Sequence, residues 1–144
     1  MMFVAKIKKK IENKKINIPS SNTPKEYPIF CFKYLTTNKR YNFEHFSNVQ
    51  EQLKNKSLIL DEIIRLQQKT WMEWGLESKK TGFESIYINQ LNFKPKELIL
   101  SNDTKAIVFR INSQNWRIIG IRSEYFKSVL HIIGFDFDFF AYNN

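Results

Sequence analysis

"KAIVFRINSQNWRIIGIR" (residues 105–122) and the "SVLHIIGFDFDFFAY" that soon follows it (residues 128–142) decide the fold. In the first stretch, two runs rich in β-branched and aromatic residues flank the four polar residues "NSQN". That is the composition of two strands joined by a short hairpin loop. A four-residue loop sets the register, so that Ile111 faces Trp116 and Arg110 faces Arg117 directly across the hairpin. Two guanidinium groups side by side on one sheet face repel each other unless anionic groups accompany them. A bound phosphate would meet that need, and so would carboxylates of the chain itself.

The second stretch supplies the carboxylates. Alternation along an unbroken strand places Phe135, Phe137 and Phe139 on one face and Asp136 and Asp138 on the other. The aspartates can answer the arginines, share a proton, or hold a divalent cation, although no complete set of metal ligands accompanies them. His131, within the apolar "LHII", is either a half-buried structural side chain or a general base with a pKa near neutrality. Tyr142 follows the last strand closely. There it can bring its ring or hydroxyl to the sheet edge to stack on a base, or it can close the core.

Upstream of the hairpin the period changes from two to that of a helix. "NFEHFSNVQEQLKN" carries Phe43, Phe46, Val49 or Gln50, and Leu53 at spacings of three and four, the pattern of a helix with one buried stripe. "SLILDEIIRLQQKTWMEWG" does the same with Leu60, Ile64, Gln67, Trp71 and Trp74, with Ser57 placed to cap its start and Gly75 placed to end it. The expectation is two helices joined by "NKS" (residues 55–57), a helical hairpin. "FESIYINQL" (residues 83–91) reads as a further strand, and "IFCFKYL" (residues 29–35) as an edge strand or a lead-in to the first helix. The fold class expected is α+β, with the helical hairpin packed on a small twisted antiparallel sheet.

The chain has 144 residues, enough for a single core without disulfides or metal. It divides into a basic N-terminal tail or partner-binding segment (residues 1–26), which the prolines of "NIPSSNTPKEYP" would end, and one compact domain (residues 27–144). The single cysteine, Cys31, has no partner in the chain, which suits a reducing compartment. "MMFVAKIKKK" lacks a secretory apolar run and no stretch reaches the length of a membrane span, so the expected setting is the cytoplasm, without a membrane. The formal net charge is +9. Six lysines, Lys6, Lys8, Lys9, Lys10, Lys14 and Lys15, cluster against one glutamate in the tail, a field that favours RNA, DNA or an acidic protein. No phosphate-cradling glycine loop, serine nucleophile elbow, paired CxxC or HExxH occurs, which removes several enzyme classes.

The order of these elements, with "VFRINSQNWRIIGIR", "SVLHIIGFD" and a terminal "FAY", resembles the RelE/ParE-like toxin superfamily over roughly residues 41–142. The resemblance implies a helical hairpin on a twisted sheet, activity against messenger RNA or DNA gyrase, and an antitoxin partner. In the RNA-cutting branch a basic residue lies seven positions before an arginine that follows an aromatic. Arg110 and Arg117, the latter after Trp116, fall at those places, and Tyr142 falls where the family has a tyrosine after the last strand. The resemblance therefore implies that Arg110 and Arg117 hold the scissile phosphate, with Tyr142 and His131 as candidates for proton transfer, without metal or cofactor. Asp136 stands where the branch has a further arginine, a substitution that reverses the local charge.

Three functions follow as expectations. The first is a toxin-like endoribonuclease acting on messenger RNA, on the ribosome or free of it, restrained by an antitoxin or another acidic protein. The second is a non-enzymatic interaction or inhibitor module, or an inactive relative keeping the fold, with Asp136 and Asp138 neutralising the arginines. The third is a metal-dependent nuclease built on Asp136, Asp138 and a carboxylate such as Glu84.

Overall fold

The hairpin forms in the expected register: Arg110 pairs with Arg117 and Ile111 with Trp116. A computed structural model describes residues 26–111 and 114–143. The lysines assigned to RNA binding, Lys6 to Lys15, lie outside the described residues. In chain order the elements are β1 (Ile29–Cys31), α1 (Val49–Leu66), α2 (Trp71–Leu76), β2 (Phe83–Tyr87), β3 (Lys105–Ile111), β4 (Trp116–Arg122) and β5 (Val129–Asp136). The strands form one sheet in the order β1-β5-β4-β3-β2. The fold is thus a mixed α+β arrangement.

Two expectations need correction. The sheet is not wholly antiparallel, because β1 runs parallel to β5, with Cys31 opposite His131. A strand that precedes the helices can return alongside the last strand in the same direction only through such a long crossover. The "NKS" junction is also not a loop. Asn48 caps α1 by accepting the Glu51 N–H, and the helix then runs 18 residues without interruption. Residues 55–57 contain neither glycine nor proline, and their modest helix propensities do not outweigh the cooperativity of the turns on either side.

Continuity of α1 moves its buried stripe by one residue. Asn55, Ile59, Ile63 and Leu66 face inward, while Val49, Leu53, Leu60 and Ile64, expected on the buried stripes, are exposed. The second helix is the short α2, started by a reciprocal capping box between Thr70 and Glu73. Gly75 lies inside it rather than beyond it. The Trp74 indole N–H donates to the Leu66 carbonyl at 2.8 Å, satisfying an orphan group at the end of α1. Phe43 belongs to a single 3-10 turn, Phe43–His45, separated from α1 by the Asn48 cap.

Both faces of the sheet are covered. On the helical side Ile59, Ile63, Leu66, Trp71 and Trp74 pack with Phe109, Ile111, Trp116, Ile118, Leu130, Ile132, Phe135 and Phe137. On the other side Tyr41, Phe93, Ala141 and Tyr142 cover Ala106, Val108, Ile119, Ile121 and Ile133. Burial on both faces explains why β4 reads as a nearly continuous apolar run instead of alternating with polar residues.

A bulge in β5 fixes what points where. Ile119 pairs with Gly134 and Gly120 with Ile132, leaving Ile133 as the extra residue. Beyond it Phe135 faces the helices and Asp136 the opposite layer. The strand then ends at Asp136 rather than continuing to Tyr142. Phe139 adopts φ 62°, an uncommon left-handed conformation for a bulky residue, which turns the chain back over the sheet.

Candidate functional site

Four strands place a row of charges on the face away from the helices. Glu84 on β2 lies opposite Val108, one alternation from Arg110 on β3. Arg110 lies opposite Arg117 on β4, and Arg117 opposite Asp136 on β5. The order is therefore acid, arginine, arginine, acid. The like charges at the centre are answered from the outer strands, so the hairpin requires no bound anion to offset their repulsion.

Arg117 is fully buried, as is Asp136. Its Nε donates to Asp136 Oδ2 at 2.8 Å, and its terminal NH2 donates to the same oxygen at 2.5 Å. The guanidinium lies between two rings, 4.4 Å from the centroid of Phe139 and 3.9 Å from that of Tyr142. Asp136 also accepts the backbone N–H groups of Phe140 at 3.1 Å and Ala141 at 3.3 Å. One carboxylate thus holds the arginine and the reversed chain terminus together.

Tyr142 spans the row. While its ring covers Arg117, its hydroxyl donates to Glu84 Oε1. Burial, reinforced by that hydrogen bond and opposed by the charge of Arg117, pushes its phenol up to about 12. A phenol in this state is a poor proton acceptor at neutral pH. Arg110 is less confined: its NH2 lies 3.6 Å from Glu84 Oε1, and its Nε has no hydrogen-bond partner among the described residues.

The structure brings Arg110, Arg117 and Tyr142 together, as their places in the sequence suggested, but separates the rest. His131 lies five residues before Asp136 on β5, roughly 16 Å along the strand. It meets the edge of Tyr34 at a centroid distance of 5.1 Å, and its buried Nδ1 has no hydrogen-bond partner among the described residues. Its expected role in proton transfer at the arginines is therefore corrected: the strand carries it away from them.

Asp138 also departs from expectation. Because β5 ends at Asp136, the two aspartates do not share a face of one strand. Asp138 Oδ2 instead accepts from Arg40 Nε at 3.1 Å, and the Arg40 guanidinium stacks on Phe140 at 4.5 Å. Phe139 leaves the aromatic face shared by Phe135 and Phe137 and joins the Arg117 stack. Asp136, Asp138 and Glu84 thus have separate cationic or phenolic partners rather than the shared cluster in which the metal-nuclease expectation placed them. Among the described residues no group of three His, Cys, Asp or Glu side chains is placed to hold a metal ion.

Glu84 and Arg40 are the participants that spacing underrates. Alternation along β2 puts Glu84 on the same face as Ile86, but its partners are Arg110 on β3 and Tyr142, 58 residues away. Among the described residues no helix is long and apolar enough to cross a membrane. Comparison with known proteins found no matching family model, no matching curated protein and no matching solved structure.

Proposed function

We propose that the chain acts in the cytoplasm as a non-catalytic module that binds an acidic protein partner, on a scaffold resembling the RelE/ParE-like toxins. The observation that carries this reading is the buried pair of Arg117 and Asp136. To grip a scissile phosphate, Arg117 would have to leave Asp136 and the stacked rings of Phe139 and Tyr142. Removing one partner of such a buried pair costs about 3–5 kcal/mol, before any work is done on RNA. Tyr142 is committed in the same way, its hydroxyl held by Glu84 and its ionisation opposed by burial. The net charge of +9 supports an acidic partner by long-range attraction.

Arg110 supports a second reading, a metal-independent endoribonuclease of messenger RNA working with or without the ribosome. Its guanidinium is partly exposed, loosely paired, and next to the Glu84–Tyr142 hydrogen bond. The two readings separate in one experiment: purified full-length chain incubated with messenger RNA, alone and with ribosomes. The binding module leaves the RNA intact in both. Cleavage that disappears in Arg110→Ala would establish the second reading and reject the first.

A further inference from the structure

Helix α1 carries a second apolar stripe on its outer side. Val49, Leu53, Leu60 and Ile64 are each at least half exposed, and none belongs to either core. At 100° per residue they fall within a band about 60° wide, centred well away from the buried stripe of Asn55, Ile59 and Ile63. Beside Leu60 the stripe opens into a groove of about 240 Å³ lined by Ile29, Phe30, Phe32, Phe43 and Ile63, with Lys56 at its edge. Ile29 and Phe32 are themselves about half exposed.

The spacing of the stripe is a palindrome. Val49 and Leu53 lie four residues apart, as do Leu60 and Ile64, on either side of a midpoint between Lys56 and Ser57. A second copy of α1 laid antiparallel about that midpoint sets Val49 against Ile64 and Leu53 against Leu60, twice each. Each Leu53 then sits at the mouth of the partner's groove. Lys54 and Asp61 flank the stripe on the same side. In this arrangement Lys54 of one copy comes within two residues, about 3 Å along the axis, of the position opposite Asp61 in the other. Self-complementary apolar pairs with opposite charges at one rim meet the requirements of an isologous two-fold contact, while Lys56 of each copy, held over its own Phe43 ring, lies at the other rim.

The geometry points to a homodimer of this chain, closed by antiparallel pairing of α1 with α1. The stripe and groove form an apolar patch on the order of 500 Å², within the range of the largest patches on monomers, and two copies bring together about 1000 Å², at the threshold for a specific interface. The dimer is therefore expected at micromolar concentrations and above. It does not depend on which reading of the Arg117 site is correct.

Sedimentation velocity of the full chain between about 1 and 200 µM tests this. The expected result is a shift from monomer to dimer in the wild type. The double variant Leu53→Glu, Leu60→Glu should stay monomeric with little change in melting temperature, since both side chains are exposed. Cross-linking adds a check on orientation: in a Cys31→Ser background, Ser57→Cys should be joined to its counterpart by a short bis-maleimide. A wild type that remains monomeric at the highest concentration overturns the proposal, including the case where the glutamates unfold the chain because another of its segments covers α1. So does a dimer that survives the glutamates. A dimer in which Ser57→Cys fails to cross-link overturns the antiparallel arrangement.

Discussion

Arg117 and Asp136 are directly opposite each other on β4 and β5, and neither side chain is exposed to solvent. The pair turns a potential phosphate-binding arginine into a fixed part of the second core. Asp136 also receives two backbone N–H groups from the reversed terminus, so its carboxylate organises more than one charge.

Asp136→Asn should therefore be among the most damaging single changes in the molecule. The amide has nearly the same shape but takes the Asp136 charge away from the buried Arg117 guanidinium, at a cost of about 3–5 kcal/mol. Urea denaturation at neutral pH measures it. Replacing both members by apolar residues, Arg117→Met with Asp136→Leu, should recover part of the loss, because the buried guanidinium is then removed as well. A loss below about 1 kcal/mol in Asp136→Asn would mean that the pair is not buried in solution.

Tyr142 makes a distinct prediction at alkaline pH. Its phenol is raised in the fold to about 12 from an ordinary value of 10.0. The protonated form is the one the fold favours, so its contribution is intact below pH 10 and is lost as the pH rises toward 12. The loss is on the order of 2 kcal/mol. Denaturation at stepped alkaline pH should show stability falling through this window, and phenolate absorbance should place one tyrosine well above the exposed ones. Tyr142→Phe should flatten the fall, leaving the smaller share of Tyr41, which burial also raises.

The strands were legible because their signals are local. β3 and β4 match the runs "KAIVFRI" and "WRIIGIR", and the loop length fixed the pairing of Arg110 with Arg117. The end of β5 was not legible, because "FDFDFF" continues the alternation past the point where the strand stops. What ends it is tertiary: Asp136 meets Arg117 and captures the N–H groups of Phe140 and Ala141, forcing the turn at Phe139. Helix α1 misled for a related reason. It has two apolar stripes, and periodicity alone does not say which one meets the sheet. The partnership of Glu84 with Arg110 and Tyr142 depends on strand order, which no local pattern encodes.

Gly134 and Phe93 give a packing test on the same face. A methyl group added at Gly134 would lie 2.5 Å from the Phe93 ring, which occupies the space above the glycine. Gly134→Ala should cost about 1–3 kcal/mol through overpacking. Trimming the ring in Phe93→Leu costs stability alone but makes room for the methyl, so the double variant should lose less than the sum of the two single losses. Additive losses in the double-mutant cycle would show that the ring and the glycine are not in contact.

Ser57 distinguishes a continuous α1 from two helices by the sign of one substitution. If Ser57 capped a second helix, Ser57→Ala would remove a cap and cost about 1 kcal/mol. In the structure Ser57 is an exposed residue inside α1, and alanine there has the higher helix propensity. Ser57→Ala should thus be neutral or stabilising by up to about 0.5 kcal/mol. Ser57→Pro sharpens the contrast. Proline at this position removes the hydrogen bond to residue 53 and clashes with its carbonyl, costing about 3 kcal/mol or more, whereas a loop or first-turn position would tolerate it. Thermal denaturation of the two variants beside the wild type decides the matter: a destabilised alanine variant with a tolerated proline would restore the helical hairpin.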